Sequence, residues 1–429
     1  MALVPRSGAA AVARMGGVLP DRVDAVIVGG GASGLALAGH LATTSWRDHS
    51  VLVVDEGSLP LDARSWAYWS AAPAPLDWFD RASSQVFDRF WVNSAAGQHL
   101  VRLGSYRYRV VRGPDLERAV NGVLHRAEGF RRVAGHVTAI EDGEQQATVT
   151  VDGQRVRADW VFDSVGLSGV GVSGVAPPRT KPPGVGRSGV GATTLPSGRL
   201  SMAFTGWRVQ TRGDVFDPEA LTLMDFRTGQ DHGLAFLHVL PTSARSALVE
   251  HTRFVSCDVG GVDAGNVAEA ALDGYLRDVL GVAGHRVVGV ERGSIGLQPR
   301  AAAGTGQRVV PIGAQAGMVK PSTGYAYARI HRHCEALAWS LATRGHPFDV
   351  PQPLRRYALL DQVLLDAVVE EPLHVVHAFE QLFRHNPGDR VLAFLDERVS
   401  VAQELALVRS LPKGPFLRAA RRVRARAGR

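Results

Sequence analysis

The sequence predicts an α/β protein in two lobes, a Rossmann-like nucleotide-binding domain combined with an antiparallel-sheet lobe, followed by a helical C-terminal region. Three observations predict it. A short apolar run, 25–28, leads into Gly29-x-Gly31-x-x-Gly34 and an apolar stretch at helical spacing as far as Leu41; a second run, 50–54, ends in Asp55. Between 199 and 255 the pattern changes to alternating apolar and polar residues, the mark of strands with one face covered. From 309 to 344 a strand, a small-residue loop and a helix return, and apolar residues then recur three and four apart to Leu411.

Each element follows from local chemistry. Gly29 permits a tight turn, Gly31 lets the backbone approach a pyrophosphate, Gly34 lets helix and strand pack closely, and Asp55 offers a carboxylate to a ribose. Residues 1–20 are Ala/Gly-rich, without the continuous apolar core of a secretion signal, and read as a disordered extension. The aromatic stretch Arg64-Ser-Trp66-Ala-Tyr68-Trp69, with Pro73 and Pro75 behind it, reads as a loop region. Its rings serve either as anchors in the core or as the wall of a site for a large apolar ligand. Strands are predicted over 87–101, 106–111, 133–140, 147–151 and 159–166, and a helix opens at Pro114 and Asp115 and reaches about His125. The Gly/Pro/Ser/Thr-dense segment 165–198 reads as a loop or crossover between lobes.

The second lobe is predicted from strands 204–209, 221–226, 234–240, 247–254 and 287–296, with a helix over 266–280. A strand over 309–313, a loop over 314–323 and a helix over 324–344 return the chain to the first domain. The expected division is therefore 1–20 extension, 21–165 with 300–345 nucleotide domain, 166–299 antiparallel lobe, 346–412 helical region and 413–429 basic tail.

Composition narrows the function classes. At 45% hydrophobic and 21% charged residues the 429-residue chain has ordinary globular character, and no run is long and apolar enough to span a bilayer. Its two cysteines, Cys257 and Cys334, lack metal-ligand spacing, so no metal site or disulfide is expected and both read as core thiols in a cytoplasmic protein. The net charge of +7 gathers in the tail, where Arg418, Arg421, Arg422, Arg424 and Arg426 alternate with apolar residues. That pattern predicts a basic helix on an anionic membrane surface rather than nucleic-acid binding.

Several short motifs, in order, resemble the flavin-dependent lycopene cyclase family. They are Arg64-x-Trp66-x-x-Trp69, Arg112-x-x-Asp115-Leu116, Phe204-x-Gly206-Trp207, Met224-Asp225-Phe226, Leu240-Pro241, Leu248-Val249-Glu250-x-Thr252, Glu291-x-Gly293-x-Ile295, Pro321-Ser-Thr-Gly-Tyr325, Phe394-Leu395-Asp396 and Leu411-Pro412-x-x-Pro415-Phe416. The resemblance implies closure of β-type rings at the ends of lycopene or a related acyclic or monocyclic carotene. It also implies FAD, acting reduced and without net electron transfer, NADPH as the electron donor, and peripheral attachment to a membrane. FAD would be held by Gly29, Gly31, Gly34, Asp55, Gly313, Ala314 and Gly324, with the helix near Gly324 presenting its positive end to the flavin ring. Three positions depart from the family pattern: His251 where an acidic residue is usual, Gly296 in place of a proline, and Val165 in place of an arginine.

Ring closure needs a proton added at one carbon, a cation sheltered from water, and a neighbouring proton lost. Glu250 is the predicted catalytic carboxylate, since a buried glutamic acid can donate a proton and then stabilise positive charge. The alternative for Glu250 is a cross-strand pair with an arginine. Trp66, Trp69, Trp207, Asp225, Glu291 and Tyr325 are predicted to line the substrate channel. The rival function is an FAD-dependent monooxygenase or dehydrogenase that uses NAD(P)H on an apolar substrate.

Overall fold

The computed structural model describes residues 18–57, 64–71, 77–167, 200–231, 233–256, 264–297 and 306–427. Strand β1 (Arg22–Val28) is buried from Ala25 onward and passes through the glycine turn into α1 (Ala32–Ala42), in which every residue except Ser33 is buried. A helix apolar on all sides belongs in an interior. This one packs its Ala36, Leu37 and Leu41 among residues of the first sheet and of a helix near the end of the same domain. Strand β2 (Val51–Asp55) ends, as expected, at its acidic residue.

The aromatic stretch is not a loop. It forms β3 (Ser65–Ala71), antiparallel to β7 (Tyr106–Arg112), because Trp66 and Tyr68 alternate with Ala67 and Trp69 at the period of a strand. The single strand expected over 87–101 is three pieces, β4 (Gln85–Phe87), β5 (Arg89–Ser94) and β6 (Gly97–Arg102). Ala95 and Ala96 turn β5 back on β6, and Gly97 takes a φ of 142° to close the hairpin. Helix α2 (Gly113–Leu124) carries Pro114 in its first turn. The single strand expected over 133–140 is likewise two, β8 (Phe130–Ala134) and β9 (Val137–Glu141), broken at Gly135-His136, where the Asp152 carboxylate accepts the His136 N–H. They lie at opposite edges of one sheet. With β10 (Ala147–Val151) and β11 (Gln154–Asp163), its order is β8-β2-β1-β11-β10-β9.

Strand β11 is long enough to pair with β10 along its first half and with β17 (Val309–Pro311) along its second. Strands β8, β2, β1, β11 and β17 all run parallel, so their C-terminal ends meet on one side. A second sheet is formed by β12 (Leu200–Thr211), β13 (Leu221–Asp225), β14 (Ala235–Ser243), β15 (Ser246–Ser256) and β16 (His285–Gly296). Its order is β16-β12-β15-β14-β13-β5-β6, so the β5–β6 hairpin extends it across the chain. One face packs Val209, Leu237 and Val249 beneath α3 (Ala264–Gly274) and the π-helical turn Tyr275–Val279. The other face joins the largest core, with Met202, Leu240, Leu248 and residues of the C-terminal helices.

Helix α4 (Tyr327–Arg344) starts three residues later than expected: at Gly324 the chain is still in a turn, with φ of 73° and its N–H on the Lys320 carbonyl. The C-terminal region is α5 (Arg355–Glu370), α6 (Pro372–His385), α7 (Gly388–Leu395), α8 (Val401–Ser410) and α9 (Lys413–Ala427). Helix α9 is the expected basic tail, but it is docked: Ala419 and Val423 are buried, and Arg418, Arg422 and Arg426 pair with Glu371 and Asp366. Cys334 is buried in α4, as a core thiol should be, while Cys257, residues 1–17 of the extension and most of the 165–198 crossover lie outside the described residues. Among the described residues no helix is long and apolar enough to cross a membrane, and no cluster suited to a metal ion occurs.

Candidate functional site

The parallel strands deliver the nucleotide-site residues to one edge. Val28 is in register with Asp163, and Asp163 with Pro311, so the turns after β1, β11 and β17 sit side by side. This is where open α/β sheets bind ligands. Gly29 has φ of 100°, and a Cβ on Gly34 would lie 1.9 Å from the Gly29 carbonyl oxygen, which is why the turn needs both glycines. At Gly31 a Cβ would meet only the tip of Arg64, 3.3 Å away, so a ligand has room to approach that backbone. No side chain caps the first turn of α1, which leaves its N–H groups to an anion. Asp55 reaches over the turn, where a Cβ on Gly30 would come within 2.5 Å of its carboxylate. On the far side Gly313, at φ of 62°, lies so close to Ser33 that a Cβ would stand 1.9 Å from the hydroxyl. The Ala314 carbonyl accepts from Gly317 N–H. Shape and donors together fit an FAD.

Glu250 lies on the face of the second sheet that looks toward this loop. Residues paired across a sheet share a face, and the row through Glu250 is Glu291, Gly206, Glu250, His238. Gly206 puts no side chain between the two carboxylates; a Cβ there would be crowded by Leu248 Cδ1 at 2.9 Å and would only touch Glu250 Oε2 at 3.6 Å. Gly324 stands over the same face, with a Cβ position 3.2 Å from Met202 Sδ. The alternative of a cross-strand pair between Glu250 and an arginine is not met among the described residues: Arg208 on β12 pairs with Glu291 instead and donates to Ser65 Oγ. Among the described residues Glu250 keeps one hydrogen bond, from the Thr252 hydroxyl at 3.2 Å. Burial, reinforced by the Glu291 charge, pushes its pKa up to about 7. Burial also raises Glu291, against the pull of Arg208.

Aromatic residues close the site. Tyr325 and Trp69 have ring centroids 4.5 Å apart, and the Trp69 indole N–H donates to the Leu392 carbonyl on α7. Tyr325 Oη is 2.7 Å from Tyr108 Oη, which is 3.3 Å from His238 Nε2. Burial pushes both phenols up and His238 down to about 4, so the phenols and the imidazole are neutral. Sequence reasoning did not find Tyr108 and His238. Both sit in ordinary strand patterns: His238 stands opposite Glu250 through the register of the β14–β15 hairpin, and Tyr108 arrives from β7 in a separate sheet.

Other candidates lie elsewhere. Trp66 points away from Trp69 and stacks on Tyr327 near α1, with centroids 6.0 Å apart. Trp207 is on the opposite face of the sheet, beside His285. Asp225 shares that opposite face with Leu237 and His251. Burial raises its carboxyl, but hydrogen bonds from Arg227, Tyr275 and Asn93 outweigh this and hold it below the usual carboxylate range. It is a structural anchor beneath α3.

The family profile described as lycopene cyclase protein matches residues 24–421, from β1 into α9. The chloroplastic lycopene beta cyclase of an Oncidium hybrid cultivar is 27% identical over 322 residues, covering 73% of this chain and 62% of that protein. The lycopene beta-cyclase of a Paracoccus species is 26% identical over 241 residues, covering 52% of this chain and 60% of that protein. The chain thus spans less than two thirds of the length of these relatives. A geranylgeranyl bacteriochlorophyll reductase-like protein from Thermoplasma acidophilum has the same fold, at TM-score 0.58 and 14% identity over 93% of this chain and 98% of that one. So does a flavoprotein/dehydrogenase from Cytophaga hutchinsonii, at TM-score 0.54 and 12% identity over 87% and 92%.

Proposed function

The chain belongs to the lycopene cyclase family, and on that premise we propose that it closes β-type rings at the ends of lycopene or a related carotene, with FAD bound across the first sheet and Glu250 as the acid. The observation that carries the reading is Glu250 itself: a carboxyl raised to about 7, with no cationic partner among the described residues, near Tyr108 and Tyr325, the second of which packs on Trp69. A carboxyl so placed stays protonated to near neutral pH, and burial keeps water from competing for the proton.

Protonated Glu250 adds its proton to one carbon of a terminal double bond. The cation so formed is attacked by the next double bond, and the ring carbon–carbon bond closes. Loss of a proton from a neighbouring carbon to the Glu250 carboxylate restores the acid, so the product has the formula of the substrate. Thr252, donating to Oε1, steadies the carboxylate, and the aromatic faces shelter positive charge. Reduced FAD, when bound, would supply a further electron-rich surface, with NADPH as its reductant. The apolar stripe Val401, Leu405 and Val408, exposed along α8, supports extraction of the carotene at a membrane surface.

Lycopene incubated anaerobically with FAD-loaded protein and reductant should give cyclised carotene, separable by chromatography. Glu250→Gln should retain FAD and lose about 10²–10⁴ in rate. A near wild-type rate would move the acid elsewhere. In a parallel aerobic incubation, stoichiometric oxygen uptake with an oxygenated product would replace the reading with a monooxygenase.

A further inference from the structure

Three arginines of α9 are taken up by carboxylates of the same chain, whereas a second group of arginines is not. It gathers at the far end of α1, roughly 16 Å along the helix from Gly31. There a cavity of about 600 Å³ opens between the last residues of α1, the short helical turns Ser45–Asp48 and Asp80–Ala82, and one face of α2. Arg47 and Arg81 reach it from the two turns, Arg118 and Arg126 from α2. Among the described residues the lining holds one carboxylate, Asp115, which is bonded to Arg118 at 2.8 Å. Arg47 has only the exposed Asp48, 3.6 Å away, and Arg81 and Arg126 pair with no described carboxylate. The end of α1 does not need these cations, because the Thr43 and Thr44 hydroxyls donate to the His40 and Leu41 carbonyls.

The floor between the arginines is small and apolar. Ala119, Gly122 and Val123 form it on α2, and a Cβ on Gly122 would meet nothing within 4 Å. Trp78 makes a wall. The bare backbone at Gly39, where a Cβ would stand 2.6 Å from Trp78 Cη2, seats the indole against α1. Its N–H is buried without a hydrogen-bond partner among the described residues. Guanidinium groups converging from three elements call for an anion rich in acceptors, and arginine meets phosphate oxygens two at a time. A smooth apolar floor beside an indole suits a flat ring, and the volume is that of a small-molecule site.

We propose that this groove is a second nucleotide site, separate from the FAD edge, that takes the phosphates of a nucleoside diphosphate on Arg81 and Arg126 and its base against Trp78 and the α2 face. It lies at the opposite end of α1 from the glycine turn and does not depend on the reading of Glu250.

The test is a calorimetric titration of ADP into protein saturated with FAD, so that the glycine edge is already filled. ADP should bind at a single site, more tightly than pyrophosphate or adenosine, and more weakly as salt is raised. Arg81→Ala and Arg126→Ala, both exposed and unpaired, should each weaken ADP about tenfold, the loss of one charge-assisted contact, with FAD content unchanged. Gly122→Leu keeps every charge and suits a helix but fills the floor, so ADP binding should be lost while pyrophosphate still binds. No binding of ADP, an unmoved affinity in the double arginine variant, or pyrophosphate binding as tightly as ADP overturns the proposal. Capture by phosphatidic acid vesicles, abolished in the double variant of a protein that ignores ADP, would overturn it in favour of a lipid headgroup. No turnover is measured, so absence of cyclase activity would overturn the reading of function and leave this test standing. Should the protein take up no FAD, the arginine variants still report on this groove alone.

Discussion

His40 on α1 and His331 on α4 face one another with Nε2 and Nδ1 3.2 Å apart, both buried. Desolvation lowers His40 to about 4, and desolvation together with His40 lowers His331 well below its ordinary value. Each therefore binds a proton in the unfolded chain, at about pH 6.5, before it does so in the folded one. The stability they permit is complete above that pH and is lost as pH falls from about 6.5 through 4. The melting temperature should decline across that window, and His331→Gln should flatten the decline by about one proton's worth. At this scale the sequence was informative where alternation decides the outcome: Glu250 and His251 do point to opposite faces of β15. It was silent on His238, whose place opposite Glu250 depends on the exact register of the β14–β15 hairpin, and on Tyr108, which comes from a separate sheet.

At the scale of elements, α9 shows how a composition signal is redirected by partners. Five arginines in its sequence predict a surface helix seeking anionic lipid, but the i, i+4, i+8 row of Arg418, Arg422 and Arg426 meets Glu371 and the buried Asp366. Partner carboxylates on α5 and at the start of α6 were not recognisable from the tail alone. Truncation after Pro412 should strand Asp366 as a buried charge and uncover the apolar seat of Ala419 and Val423. We expect a loss of about 3 kcal/mol, read from denaturant melts. Helix boundaries and the β3–β7 pairing show the same limit. The aromatics of β3 have a strand period, yet the two prolines behind them suggested a loop.

For the molecule as a whole, the two-lobed plan and the glycine-rich nucleotide edge were legible, because turn glycines and parallel-strand ends carry their own signature. What joins the C-terminal helices to that edge was not. Lys320, in the loop between Gly313 and Gly324, is buried and bonded to Asp361 on α5 at 3.0 Å and to Glu397 after α7 at 2.8 Å, and Arg329 shares Glu397. Burial raises Glu397, but Lys320 and Arg329 more than offset it and hold the carboxyl below its usual range. Lys320→Met should leave Asp361 enclosed without its cation and Glu397 with Arg329 alone, and lower the unfolding free energy by about 3–5 kcal/mol, measurable by chemical denaturation.

The nucleotide domain is closed by its last pieces. Helix α1 is covered by α4, and β11 by β17, both encoded nearly three hundred residues after Gly29. At about 5–20 residues per second of synthesis, the ribosome leaves the face of α1 that carries Leu37 and Leu41 bare for roughly 15–60 s. During that interval the antiparallel lobe is made and can fold, while the earliest segment waits. A newborn chain of this design spends its first minute as a client for chaperones, and the cofactor has nowhere complete to bind until synthesis is nearly over.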